Sequence, residues 1–586
     1  MSYLRLVAIG AALLLTVTAC SKTEEAVEIA VEQTENTLFD YVPTNTPYLA
    51  GNLEPIPNEV IEVFLQRFQP VLDSMQYELA KARQAMEDGS AQHPGDEGTR
   101  LIQAVLQELD GKLSRQGMES LGFDLQSHKV IYGMGAFPVA RIGLSDAGAL
   151  RATVQRVLTN SGINAPELDH KGVSYWRLGD DDAGGEPVAL YITIFEDHLA
   201  LSILPQLAEA ELLPAFLGLE MPGESNAATR LAELNADHDY SPYASGILDL
   251  DSLVEELINP DSAFARVMAA SGEFDPADMT AECTSEIREL VSTTPRMTVG
   301  TKELTPAAIA MQYRVETKPS LAQQLTGLVA RIPMANPLSK RILEFSFGMR
   351  FGAARDFLRE KAADIMKNPY LCSHFQSINE SAAETFTQLN QPMPPLVNNF
   401  RGLRLSLSEI TMNHSTPENG RGLIAVHVEQ PEMFVGMAQM FLPDLTELSL
   451  VPGEPPVQLP ASLVPVPNVV AYAALTAEAI GLSVGEDEED SLPGYLAEKP
   501  GPDGMFMSFA YDMASYLEYT QDLENQFKQA EGETSDMDPE KEAAVRSLQD
   551  IARSAQEAYK SFSDRNYTTF SLTPEGFVAD SRMTFK

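Results

Sequence analysis

Residues 188–204, VALYITIFEDHLALSIL, recur without a gap as residues 469–485, VVAYAALTAEAIGLSVG. Val188 matches Val469, Tyr191 matches Tyr472, Leu201 matches Leu482 and Ser202 matches Ser483, with apolar residues at most positions between. A Leu-Pro-x-aromatic-Leu string follows each copy: Leu213, Pro214, Phe216 and Leu217, then Leu492, Pro493, Tyr495 and Leu496. Self-similarity at long range means that one architecture is used twice. This pair decides the fold.

Working outward, a strand, one or more helices and a hairpin recur four times. The first unit opens at residues 48–51 and closes with a hairpin at 129–144, turning near Phe137 and Pro138. The others open at 243–246, 345–348 and 507–510 and close with hairpins at 297–316, 403–429 and 567–585. Apolar residues Val60, Ile61, Phe64, Leu65, Phe68, Val71 and Leu72 recur at helical spacing and predict a helix from Pro57 to about Glu87. A second helix is expected over 101–113 and a third over 147–158. Units two and four share a hairpin turn, Leu304-Thr305-Pro306 against Leu572-Thr573-Pro574. Alternating strands need one face covered, and amphipathic helices between them can cover it. The expected fold is therefore α+β and internally duplicated, with antiparallel sheets covered by helices in two similar halves, 41–334 and 335–586.

The chain has 586 residues, more than one hydrophobic core usually organises. It carries 84 acidic against 41 basic residues, a formal net charge of -43. Such a surface repels nucleic acid and anionic head groups, which removes nucleic acid as a partner; solubility or a salty environment is the favoured reading of the charge, and a basic envelope protein as partner the sharper one.

Residues 1–19 hold one basic residue, an apolar run short for a bilayer span, and then Val17, Thr18, Ala19 and Cys20. This resembles the precursor of a bacterial lipoprotein, whose signal peptide ends at a cysteine that becomes acylated. The resemblance implies lipidation of Cys20. It also implies, through Ser21 at the following position, sorting to the outer membrane with the body facing the periplasm and the membrane as a partner through the acylated N-terminus. Residues 20–40 are acidic with little apolar surface and read as a tether. The two remaining cysteines, Cys283 and Cys372, are expected to form a disulfide in an oxidising compartment.

The chain is read as lacking a GxSxG nucleophile elbow, HExxH, a P-loop, GxGxxG after a strand and an EF-hand loop. None of its eight histidines pair at i, i+2 or i, i+4, so no metal, cofactor or catalytic residue is assigned. Asp180-Asp181-Asp182 before Gly184-Gly185 reads as a hairpin turn rather than a calcium site, and Asp237-His238-Asp239-Tyr240 as a polar loop rather than an acid–base cluster. Residues 486–490, EDEED, read as a solvated loop. Met433, Met437 and Met440 lie on one helical face; core packing is the favoured reading, and a soft surface for a hydrophobic ligand is the functional one. The expected function is a non-enzymatic binding or scaffolding role in the cell envelope. The alternatives are a carrier of a hydrophobic or lipidic ligand held between the halves, and an enzyme of unrecognised class.

Overall fold

The computed structural model describes residues 37–87, 97–112, 114–179, 188–272, 279–413, 416–464, 469–517, 553 and 556–586. Residues 1–19 expected as a signal peptide, Cys20, residues 20–36 and the Asp180–Asp182 run lie outside them. Helices and antiparallel strands make up two compact units, an α+β architecture. Among the described residues no helix is long and apolar enough to cross a membrane.

In the first unit the strands run, neighbour to neighbour, Val173–Leu178, Val188–Ile194, His198–Pro205, Phe137–Gly143, Lys129–Met134, Tyr48–Gly51, Ser245–Asp249 and Arg296–Leu304, every pair antiparallel. The second unit runs Val457–Gln458, Ala471–Leu475, Ala479–Val484, Thr416–Val428, Phe400–Asn413, Leu343–Gly348, Met505–Asp512, Ser563–Thr573 and Gly576–Phe585. Read in chain order, the two sequences of pairings have the same connectivity. The register agrees as well: Tyr191 faces Ser202 in one sheet and Tyr472 faces Ser483 in the other.

The core of the first unit is an apolar sheet face. Tyr191, Ser202, Val139, Tyr132, Leu49 and Ile247 follow one another across six strands, and the apolar members of the row pack with Leu204, Phe216, Leu217 and Leu231. Residues 37–40, expected to belong to the tether, join this core: Leu38 and Phe39 are buried, and the Ser225 hydroxyl donates to the Phe39 carbonyl at 2.6 Å. Two large apolar side chains in four residues are enough to end the tether at about residue 36.

Three other expectations need correction. The first hairpin turns at Gly135 and Ala136, not at Phe137 and Pro138, because Gly135 supplies the positive φ of +57° that a tight turn needs. The second helix is Glu97–Leu109, ending before Gly111, whose φ is +70°. A single cut at residue 334 does not describe the compact units. The helix Ala281–Val291 and residues 313–334 belong with the second unit, and residues 556–562 with the first. Specific contacts explain both exchanges. Cys283 on that helix is disulfide-bonded to Cys372, with 4.4 Å between Cα atoms. In the first unit, Tyr559 and Phe562 lie 5.4 and 5.2 Å from Phe68, ring to ring.

Candidate ligand-binding face

Leu343–Gly348 reads LEFSFG, and the strand buries its polar half. Glu344 and Ser346 are 7% and 1% exposed, whereas Phe345 and Phe347 are only half-buried. The inversion extends across the second unit's sheet. Arg404, Ser406, Ser483, Ser508 and Ala510 are buried, and the alternate positions hold Leu403, Leu405, Ile480, Leu482, Met507 and Phe509, all half-buried. Strand registers place Leu482, Ile424, Leu405, Phe345 and Phe509 in one row, each paired with the next. At the usual strand spacing this row is ~19 Å long. A second row, Ile480, Val426, Leu403, Phe347 and Met507, lies beside it. Phe509 adds ring contacts to Phe570 at 5.9 Å and to Tyr511 at 6.0 Å. Apolar surface left half in water is costly at about 25 cal/mol per Å². Such a surface gains by being covered.

The opposite face is buried: Leu423, Ala425 and Ala479 pack with Leu492 and Leu496, and beside them lies a network of charges. Glu344 accepts from the Asn336 amide at 2.6 Å and from the Ser406 hydroxyl at 3.2 Å, and Ser508 Oγ accepts from the Ala335 amide at 2.8 Å. Arg341 grips Glu488 through two donors, at 3.1 and 2.8 Å, and Ser408 donates to the same carboxylate at 2.7 Å. Glu488 is 3% exposed, so the run 486–490 is not simply a solvated loop. Burial raises the Glu488 pKa, but the bonds from Arg341 and Ser408 outweigh it and hold the carboxyl below its ordinary range. Arg404 donates to the Tyr495 carbonyl at 2.7 Å, lies 3.9 Å from the centre of that ring, and pairs with Glu498. Arg565 donates to the Arg341 carbonyl at 2.7 Å. These bonds help a polar face to be the inner one: Glu344, Glu488, Arg404 and Arg565 find partners, most of them far away in sequence, although Ser346 Oγ, Ser483 Oγ and His427 Nε2 stay buried without a hydrogen bond in the protein.

The first unit holds its own buried arginine. Arg141 is fully buried; Nε donates to the Tyr132 hydroxyl at 3.1 Å and Nη2 to the Phe216 carbonyl at 2.8 Å. Its guanidinium lies 3.7 Å from the centre of the Tyr41 ring. Nη1 meets His198 Nε2 at 2.8 Å, and because a guanidinium only donates, Nε2 accepts and the imidazole proton sits on Nδ1, donating to Asp197 at 2.7 Å. Phe216 and Tyr495 occupy the same place in the Leu-Pro-x-aromatic string. Each gives its carbonyl to a buried arginine, but the arginines come from opposite members of a cross-strand pair, Val130 with Arg141 and Arg404 with Ala425. The half-buried face of the first unit is apolar too, with Ile192, Leu201, Ala140, Ile131, Ala50, Gly246 and Val299 paired in turn; its centre has smaller residues than the second unit's.

The other sequence candidates fall as follows. Gly481-Leu482-Ser483-Val484-Gly485 does have GxSxG spacing, but Ser483 is fully buried within the strand Ala479–Val484, where an elbow would need a strand-to-helix turn with the hydroxyl exposed. The segment 237–240 is the end of the helix Ala227–His238 rather than a polar loop. Asp239 takes φ +56°, and the buried Tyr240 donates to Gln312 at 3.1 Å. On the helix Pro431–Phe441, Met433 and Met437 are half-buried and Met440 is 79% exposed, so the three do not form a core face. Among the described residues no three His, Cys, Asp or Glu side chains come together as a metal site. The chain matches no family model, no curated protein and no solved structure.

Proposed function

We propose that the protein is a non-enzymatic, cell-envelope binding protein that takes a hydrophobic ligand on the apolar sheet face of its second unit. One observation carries this: the outward rows of Leu, Ile, Phe and Met in a sheet whose inner face holds arginine, glutamate and serine. Two adjacent rows of large apolar side chains left partly accessible on one sheet face mark a place where something binds. In this reading the two units arose by duplication, supported by their common strand connectivity, the Tyr–Ser registers and the paired Leu-Pro-x-aromatic strings. The body is held at the outer membrane, facing the periplasm, through acylated Cys20, a reading supported by the sequence of residues 1–21.

Binding is testable with the detergent-purified full chain. Phe509→Trp places an indole on the proposed face, where brominated fatty acid should quench it strongly. Trp176, the chain's natural tryptophan, is 1% exposed in the first unit and should be quenched little. Leu405→Glu should then weaken quenching at least about tenfold, since a charge in the row costs more than 1.4 kcal/mol of apolar contact. Because Leu405 is only partly buried, the far-UV circular dichroism of the variant should stay that of the parent. Absence of quenching in Phe509→Trp, or quenching indifferent to Leu405→Glu, would overturn the proposal.

A further inference from the structure

The end of the methionine-bearing helix is a second candidate surface, independent of the sheet face. Met440 and Phe441 are each 79% exposed and Leu442 is 47% exposed, a run of three large apolar side chains in water. The run is held in place. Pro431 is buried at the helix start, the Leu442 amide donates to the Ala438 carbonyl at 2.8 Å, and the Gln439 side chain donates to the Leu445 carbonyl at 3.0 Å. In the first unit the helix after the corresponding strand, Ala147–Ser161, buries Leu150, Val157 and Leu158 instead. The fold can therefore cover such a helix, and here it leaves the tip open.

Charge indicates what covers it. Between Arg421 and Lys499 the chain has no lysine or arginine and twelve aspartates and glutamates. Glu432, Asp444 and Glu454 of that stretch are exposed. An apolar tip carried on a stretch with acidic and no basic side chains repels anionic lipid and attracts a cation-bearing surface. Methionine and phenylalanine at the centre suit an aliphatic counterpart, because a thioether chain adapts to its partner.

We propose that Met440, Phe441 and Leu442 dock a basic, aliphatic segment of a partner protein, laid with its apolar side on the tip and its lysines or arginines on the flanking carboxylates. The test uses the full chain and three defined peptides: an amphipathic Leu/Lys peptide, the same peptide with glutamate for lysine, and one with serine for leucine. The Leu/Lys peptide should bind, and the double variant Met440→Ser/Phe441→Ser should weaken it at least about tenfold, as removal of a central apolar anchor does. Both altered peptides should bind more weakly than the parent by a similar factor. These side chains are on the surface, so the variant should keep its circular dichroism spectrum and thermal midpoint. Equal affinity for the parent protein and the double variant would overturn the proposal by reducing the binding to general charge attraction. Sedimentation with phosphatidylcholine vesicles that is lost in the double variant would overturn it in favour of a membrane-inserting tip.

Discussion

Replacing Cys283 and Cys372 together by serine is expected to remove about 4–5 kcal/mol from the stability of the second unit, because the bond closes a loop of 89 residues whose freedom returns to the unfolded chain. Both cysteines are buried, and the backbone beside Cys372 is held a second time: Glu286 accepts from the amides of Leu371 and Cys372 at 2.7 and 2.9 Å. Those bonds survive the substitution, so the native geometry should persist while its stability falls. Trp176 belongs to the first unit and separates the two transitions. In guanidinium, circular dichroism should show a first transition at much lower denaturant, with Trp176 emission changing later, near the parent midpoint. An unchanged circular dichroism midpoint would mean that the bond contributes little, and a Trp176 transition moving with it would mean that the units unfold together.

Period-two patterning was enough to place most strands. Residues 129–144 and 567–585 read as hairpins, and the structure has Lys129–Met134 with Phe137–Gly143 and Ser563–Thr573 with Gly576–Phe585. The helix from Pro57 to about Glu87 is Asn58–Glu87. The candidate site was half legible. Alternation in LEFSFG or LRLSLS defines two faces but not which one the fold buries, and the ordinary rule puts Leu and Phe inside. That rule fails here because burial of the polar face depends on partners remote in sequence: Arg341 reaches Glu488 across 147 residues, and Arg404 reaches Tyr495 across 91. The acidic run 486–490 misled for the same reason. The helical spacing of Met433, Met437 and Met440 was visible, but no local pattern tells a helix whose end is covered from one whose end is open. At the first hairpin the glycine outweighed the proline, since Gly135 can take a positive φ and Pro138 only needs a place in a strand where its missing N–H is not required.

Acid should destabilise the second unit well before its carboxylates titrate, and His427 is the reason. It is 6% exposed in the strand Thr416–Val428, and its Nε2 is buried without a hydrogen-bond partner in the protein. Burial, helped by the Arg404 cation, pushes its pKa from 6.5 down to about 4. The sign follows from proton uptake. Between pH 6.5 and 4 the unfolded chain binds a proton that the folded chain refuses, so the stabilisation is fully present above pH 6.5 and is lost as pH falls toward 4. The difference amounts to about 3 kcal/mol over that window, and about 2 kcal/mol of it should be gone by pH 5. His128 and His198, whose pKa values are lowered by burial as well, add losses of the same sign in the first unit. Glu488, held below its ordinary carboxylate range, contributes only at lower pH. Denaturant midpoints measured at pH 7 and pH 5 should therefore diverge in the parent, and His427→Gln should flatten the pH dependence of the second unit's transition while leaving that of Trp176 emission unchanged. A slope that survives His427→Gln would move the acid sensitivity to other groups and show that His427 accepts its second proton in the folded state.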